Sequence, residues 1–80
     1  PQIPEETIQL WKNIVKKSNW RIVELPNGFY QTECLSSDKW EDVTRRETVE
    51  GAERAIDSSI EHYKKKLKAL EGPKVVKTFK

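Results

Sequence analysis

The sequence predicts a small α+β domain, a three-stranded antiparallel β-meander flanked by an N-terminal helix and a long C-terminal helix (α-β-β-β-α). Two observations support this fold class. Apolar residues recur at helical spacing near both ends of the chain, and an Asn-Gly pair separates two β-prone runs in the middle. Eighty residues, 35% of them hydrophobic, suffice for one small core. We therefore expect a single domain over residues 1–72, followed by a basic tail over residues 73–80.

The first helix is predicted over residues 4–18. Pro4 suits a first helical turn, because its missing N–H has no partner to lose there. Ile8, Trp11 and Val15 then follow at spacings of three and four, which places them on one helix face.

Three strands are predicted next, over residues 20–25, 29–35 and 40–45. Asn27-Gly28 is typical of a two-residue hairpin turn, since both positions accept positive φ. That turn would pair Val23 with Thr32 and place Val23 on the face that forms the core. A four-residue second turn would pair Leu35 with Trp40, Glu33 with Asp42 and Thr32 with Val43. The opposite, outer face would be acidic, and its polar residues are Glu24, Gln31, Glu33, Asp42 and Thr44. An aromatic and apolar cluster would lie at one end of the same face, formed by Trp20, Leu35 and Trp40.

The second helix is predicted over residues 49–70. Thr48 is a favourable N-cap, an apolar stripe runs from Ala52 to Leu70, and Gly72-Pro73 ends the helix. Such a helix is about 33 Å long and overhangs a sheet of six- or seven-residue strands. The last apolar residues of the helix are Tyr63, Leu67 and Leu70. They need cover from the first helix, from the tail or from a second copy of the chain, so the sequence allows both a monomer and a homodimer.

Charge is distributed unevenly although the net charge is only +2. Residues 20–61 contain ten acidic and five basic residues, whereas residues 62–80 contain seven lysines and one glutamate. A lysine cluster of this kind can neutralise backbone phosphates, although lysines at a helix end also suit the helix dipole. We therefore list as candidate nucleic-acid contacts Lys64, Lys65, Lys68, Lys74 and Lys77.

The outer sheet face supports an alternative function, a protein–protein adaptor or inhibitor. Exposed tryptophans are favoured at interfaces, and acidic residues would surround them. The candidate partner contacts are Trp20, Trp40, Glu33 and Asp42.

Enzymatic activity is not expected. The single cysteine, Cys34, rules out a disulfide within the chain and a multi-cysteine metal site, and its mid-strand position is typical of a small core residue. His62 is the only histidine, glycine-rich phosphate loops are absent, and no cofactor or metal is predicted. No apolar run approaches membrane-spanning length, so we expect a cytoplasmic protein without membrane contact.

Resemblances to known proteins are limited to outline. The βββα portion is similar to the arm-type DNA-binding domains of tyrosine recombinases, and the complete order of elements is similar to a double-stranded-RNA-binding domain. The residues match neither family. The first family places its sheet face in a DNA groove, whereas the predicted outer sheet face here is acidic. The second has a basic start to its last helix, whereas the long helix here starts with Glu50 and Glu53. The compact, charged composition resembles small accessory proteins of bacteriophages. No family is assigned, and the predicted function is a non-catalytic accessory or regulatory binding protein.

Overall fold

A computed structural model describes residues 2–80 and confirms the predicted α-β-β-β-α order. Its three strands form one antiparallel sheet in the order β1-β2-β3. The elements are α1 (Glu5–Ile14), a 3-10 turn (Lys17–Asn19), β1 (Trp20–Glu24), β2 (Tyr30–Ser36), β3 (Lys39–Arg46) and α2 (Val49–Leu70).

Helix α1 ends four residues earlier than predicted because side-chain amides turn the chain toward the sheet. The Asn19 Nδ2 atom donates a hydrogen bond to the Asn13 carbonyl oxygen at 2.9 Å, which stabilises the 3-10 turn. The Asn13 Nδ2 atom donates to the Leu35 carbonyl oxygen at 2.6 Å. The end of α1 is thereby attached to β2, and β1 starts directly after the turn.

Helix α2 has the predicted bounds. The Thr48 Oγ1 atom accepts a hydrogen bond from the Gly51 backbone N–H at 2.9 Å, as an N-cap does. Gly72 adopts a φ of +76° just after the helix, a conformation that glycine reaches without steric cost. Local rules at both ends therefore fix the longest element of the chain.

The core lies between α2 and one face of the sheet. Its buried apolar members include Trp20 and Cys34 from the sheet and Ile56 and Ile60 from α2. Thr32 is also fully buried, and its hydroxyl is satisfied by the Thr44 hydroxyl at 2.7 Å and the Thr44 backbone N–H at 3.0 Å. Partly buried residues of α1, the following turn and β1 complete the cluster; they are Ile14, Val15 and Ile22.

The register of the first hairpin differs from the prediction by one residue. Val23 pairs with Gln31 rather than with Thr32. The turn has three residues, 26–28, because the Gly28 N–H donates to the Leu25 carbonyl oxygen at 2.9 Å and only Gly28, with a φ of +89°, takes a positive φ there. The predicted two-residue Asn-Gly turn is therefore wrong, and the predicted faces of β1 are exchanged. Val23 lies on the outer face, whereas Trp20 and, at the strand end, Glu24 lie on the core face.

The second hairpin follows the prediction near its turn and departs from it further along. Glu33 pairs with Asp42, and Leu35 pairs with Trp40, as predicted. A bulge between Thr32 and Glu33 then shifts the register, so Thr32 faces Thr44 instead of the predicted Val43. Thr44 therefore belongs to the core face, which corrects its predicted outer position.

Helix α1 covers part of the overhang of α2, and Leu70 stays 42% exposed. The rings of Trp11 and Tyr63 lie 6.2 Å apart between the two helices, and Leu67 and Leu70 line a groove together with Ile8 of α1. Cover by the first helix was the simplest of the predicted solutions. Beyond Gly72 the tail has no regular secondary structure, and Val75, Val76 and Phe79 are 79–96% exposed.

Candidate nucleic-acid interface

Three of the predicted lysines form one surface on the second half of α2, and we call Lys64, Lys65 and Lys68 the lysine surface. At 100° per residue they occupy a sector of roughly 100° on the helix, turned away from the apolar stripe that contacts α1. All three are exposed. Lys66 points to another side, where its Nζ atom lies 5.0 Å from the centre of the Trp11 ring. The helix thus presents the lysine surface to solvent and holds Lys66 against aromatic rings.

The lysine surface has no carboxylate partner. Among residues 2–80, none of its ammonium groups lies within 4.0 Å of an acidic oxygen. Two acidic residues in the first half of α2 are engaged elsewhere, since the Lys17 Nζ atom bonds Glu53 at 2.8 Å and Asp57 at 3.0 Å. These two hydrogen bonds raise the pKa of Lys17 above its ordinary value. No ion pair within this distance neutralises the lysine surface, although two carboxylates are near it. Glu61 precedes Lys64 by one helical turn, and the charge of Lys68 contributes to the lowered pKa of Glu71.

The two tail lysines are placed differently from those of the helix. Lys74 forms an ion pair with Glu71, and that contact lowers the pKa of the Glu71 carboxyl. Lys77 lies on the exposed tail, with its Nζ atom 5.0 Å from the centre of the Phe79 ring. Of the five predicted nucleic-acid contacts, the helix brings three together, while Lys74 has an acidic partner and Lys77 follows the tail.

The outer face of the sheet, which no helix covers, carries a network of polar contacts across all three strands. The Arg21 Nε atom donates to Glu33 at 2.7 Å, and the Gln31 Nε2 atom donates to the same carboxylate at 2.8 Å. These hydrogen bonds, from Gln31 and then Arg21, lower the pKa of Glu33. Arg45 donates to Gln31 at 3.1 Å, and the Arg21 guanidinium stacks 4.2 Å from the centre of the Trp40 ring. The network satisfies its members within the chain.

This arrangement corrects the predicted acidic face and its tryptophan cluster. Arg21 and Arg45 balance Glu33 and Asp42 on the outer face, so that face is not acidic. Trp20 does not join Trp40 there. Its side chain is only 9% exposed, and its Nε1 atom donates to the Ile14 carbonyl oxygen at 2.7 Å. Trp20 therefore holds the core together, and of the two tryptophans only Trp40 is placed for a partner contact.

A cleft of about 300 Å³ lies between α1, α2 and β3, with Cys34 among its lining residues. Burial raises the pKa of the Cys34 thiol, and the nearby Glu41 carboxylate raises it further. The thiol is therefore held in its protonated, weakly nucleophilic form. His62 does not line the cleft but packs its ring 5.0 Å from that of Tyr63. Cys34 and His62 are thus not brought together as a nucleophile and a base.

Sequence reasoning missed two arginines near the first half of α2. Arg46 at the end of β3 and Arg54 of α2 line one polar groove. One sequence signal could have pointed to Arg54. Arg54, Ser58 and His62 are spaced four residues apart and therefore lie on one stripe of α2. The net negative charge of residues 20–61 drew attention away from this stripe.

Comparison with protein-family models, with curated proteins and with solved structures finds no match to this chain. Within residues 2–80, no helix is both long and apolar enough to cross a membrane. The same residues contain no group of three or more histidine, cysteine or acidic side chains arranged to hold a metal ion.

Proposed function

We propose that this chain is a non-catalytic accessory protein that binds the phosphate backbone of nucleic acid through the lysine surface, aided by the tail lysines Lys74 and Lys77. The observation that carries the proposal is the exposure of three lysines on one helix sector without a carboxylate partner. Solvent-exposed ammonium groups are compact charges that contact phosphates from many directions. Binding of this kind releases condensed counterions and carries no base information.

The position of the lysine surface also favours contact with a long, continuous partner. The second half of α2 extends past the sheet, so an extended phosphate chain can approach it without meeting the strands. Two of the three acidic residues in the first half of α2, Glu53 and Asp57, bond Lys17, and Glu50 is the third. Repulsion between the two bonded carboxylates and an approaching phosphate is thereby reduced.

A second candidate function is a protein–protein adaptor that uses the outer sheet face. It is favoured by Trp40, a partly exposed aromatic residue beside Leu35 on a face that no other element covers. Glu33 and Asp42 would flank the contact, but Glu33 is already bonded to Arg21. The adaptor would therefore depend on Trp40 rather than on acidity.

A salt titration tests the nucleic-acid proposal. Affinity for a generic duplex is measured by fluorescence anisotropy for the wild type, for K64Q/K68Q and for K16Q/K39Q, a control that removes the same charge from exposed sites elsewhere. We expect the logarithm of affinity to fall linearly with the logarithm of salt, and K64Q/K68Q to lower the slope by about 1.8, since each phosphate contact contributes about 0.9. The control should retain the wild-type slope. Absence of duplex and RNA binding at low salt, or equal effects of the two variants, would overturn the proposal.

A further inference from the structure

A polar groove separates β3 from the first half of α2, and it carries positive charge. Its volume is about 430 Å³. We call it the arginine groove; its lining residues are Thr44, Arg46, Gly51, Arg54, Ala55, Ser58 and Ser59. Its side-chain donors are two guanidinium groups and the Ser58 and Ser59 hydroxyls, since the Thr44 hydroxyl is already bonded to Thr32. Such donors match the oxygens of a phosphate.

Neither arginine of the groove is paired with a carboxylate. Within residues 2–80 no acidic oxygen lies within 4.0 Å of Arg46 or Arg54, although Glu50 precedes Arg54 by one helical turn. Arg46 uses one N–H in a 2.8 Å hydrogen bond to the Arg45 carbonyl oxygen, and its remaining donors stay free for a ligand. Guanidinium groups bind phosphate in a bidentate way, which an ammonium group cannot do.

The wall of the groove is shaped by a glycine. A Cβ atom at Gly51 would lie 3.0 Å from the Thr48 Oγ1 atom and 3.6 Å from the Arg46 Cβ atom. The missing side chain lets Arg46 pack beside the start of α2, next to the N-cap. This close approach brings a side chain of β3 onto the same groove as Arg54 of the helix.

The groove continues toward the lysine surface along one stripe of α2. Arg54, Ser58, His62 and Lys65 follow one another at spacings of four, four and three, so they lie on one side of the helix. From Arg54 to Lys65 the helix rises about 16 Å at 1.5 Å per residue. A nucleic-acid strand with a rise of 3.4 Å per nucleotide covers that distance in about five nucleotides.

Acidic side chains lie on the neighbouring side of α2, about 60–100° around the helix from Arg54 at 100° per residue. They are Glu53 and Asp57, and Lys17 of the 3-10 turn bonds both and offsets one of their two negative charges. An approaching polyanion therefore meets unpaired arginines beside carboxylates whose charge is partly offset. Net charge along the sequence does not reveal which of these charges are paired.

We infer that the arginine groove binds backbone phosphates of the same nucleic-acid strand that contacts the lysine surface, an inference that rests on the proposed function. Arg46 and Arg54 would fix the position of the strand, and Lys65 would connect the groove to the lysine surface. The bound strand would then run along α2 instead of touching only its end.

The test compares R46Q/R54Q with K64Q/K68Q and the control K16Q/K39Q in the same duplex titration, with circular dichroism to verify folding. We expect R46Q/R54Q to lower the salt slope by about 1.8. When R46Q/R54Q and K64Q/K68Q are combined in one protein, the losses of binding free energy should add. A slope for R46Q/R54Q equal to that of the control, while K64Q/K68Q lowers it, would overturn the inference and leave the proposed function standing. A wild type that binds neither duplex nor RNA at low salt would overturn both.

A second measurement separates a nucleic-acid backbone from small phosphates. The side-chain Nε–Hε signals of Arg46 and Arg54 are followed by NMR during titration with the duplex and, separately, with inorganic phosphate. We expect large shifts with the duplex and small ones with inorganic phosphate at the same phosphate concentration. Equal shifts would assign the groove to small phosphates and would contradict a role in following the strand.

Discussion

The two tryptophans at the ends of the first and third strands should differ sharply in their contribution to stability. Trp20 is 9% exposed, and its indole N–H is bonded to the Ile14 carbonyl oxygen, whereas Trp40 lies partly exposed under Arg21 on the outer face. Replacing a buried tryptophan with alanine costs about 3–5 kcal/mol. A domain of this size has a total stability of about 4–12 kcal/mol. Trp20→Ala should therefore remove a large part of the folding free energy.

A milder variant isolates the hydrogen bond. Trp20→Phe keeps an aromatic ring but leaves the Ile14 carbonyl without its partner, which should cost about 1–3 kcal/mol plus a smaller packing loss. Trp40→Ala loses a half-buried ring and a cation–π contact worth about 0.5–1 kcal/mol, so its total cost should stay near 1–2 kcal/mol.

The assay is urea unfolding followed by far-ultraviolet circular dichroism, which does not depend on the tryptophans that are being replaced. The expected order of destabilisation is Trp20→Ala first and Trp40→Ala well behind it. If Trp40→Ala proved the more damaging change, the strand faces described above would be exchanged, and the register of the first hairpin would be wrong.

Three further predictions test the packing, the turn and the electrostatics. Ile56 is 3% exposed, so Ile56→Ala should lower the free energy of unfolding by about 2–4 kcal/mol, whereas Val49→Ala, at a site 43% exposed, should change it by less than about 1 kcal/mol in the same urea assay. Gly28 has a φ of +89°, so Gly28→Val should cost more than about 1 kcal/mol by placing a β-branched residue there, and an unchanged unfolding midpoint would argue against this turn. Because its hydrogen bonds lower the folded-state pKa of Glu33, its contribution to stability should be complete above the ordinary glutamate pKa of 4.5 and disappear as the pH falls through the folded value. Unfolding midpoints measured from about pH 6 to pH 3 should therefore decline less steeply for Glu33→Gln than for the wild type, and parallel curves would contradict the assignment.

The elements were predictable because local chemistry determines them. Thr48 caps α2, Gly72 ends it, and the apolar stripe between them has the period of a helix. The bounds of α2 therefore follow from neighbouring residues alone. Helix α1 ended early because Asn13 bonds to Leu35, a residue 22 positions away, and sequence periodicity contains no trace of such a contact.

The register was not predictable because two turns fit the same residues. A two-residue turn over Asn27-Gly28 and a three-residue turn that starts at Pro26 both place Gly28 at positive φ. Proline suits the first central position of the longer turn, and the structure adopts it. The difference is one residue, which is enough to move Trp20 into the core and Val23 out of it.

The candidate interface was predictable only in part. Lys64, Lys65 and Lys68 are close in sequence, so their helix face follows from helical geometry. Arg46 and Arg54 come from different elements, and two carboxylates beside Arg54 on the helix are bonded by Lys17, which lies 36 and 40 residues earlier in the chain. Long-range ion pairs of this kind decide which charges remain available to a ligand.

Contact of nucleic acid with the basic stripe and end of α2 can be tested residue by residue in an amide NMR titration of the 80-residue chain with a generic duplex at low salt. We expect shifts at residues 64–68 and along the stripe from Arg54 to His62, with little change around Trp40 and Glu33 on the outer face. Shifts confined to the outer face, or no shifts at all, would contradict this mode of binding.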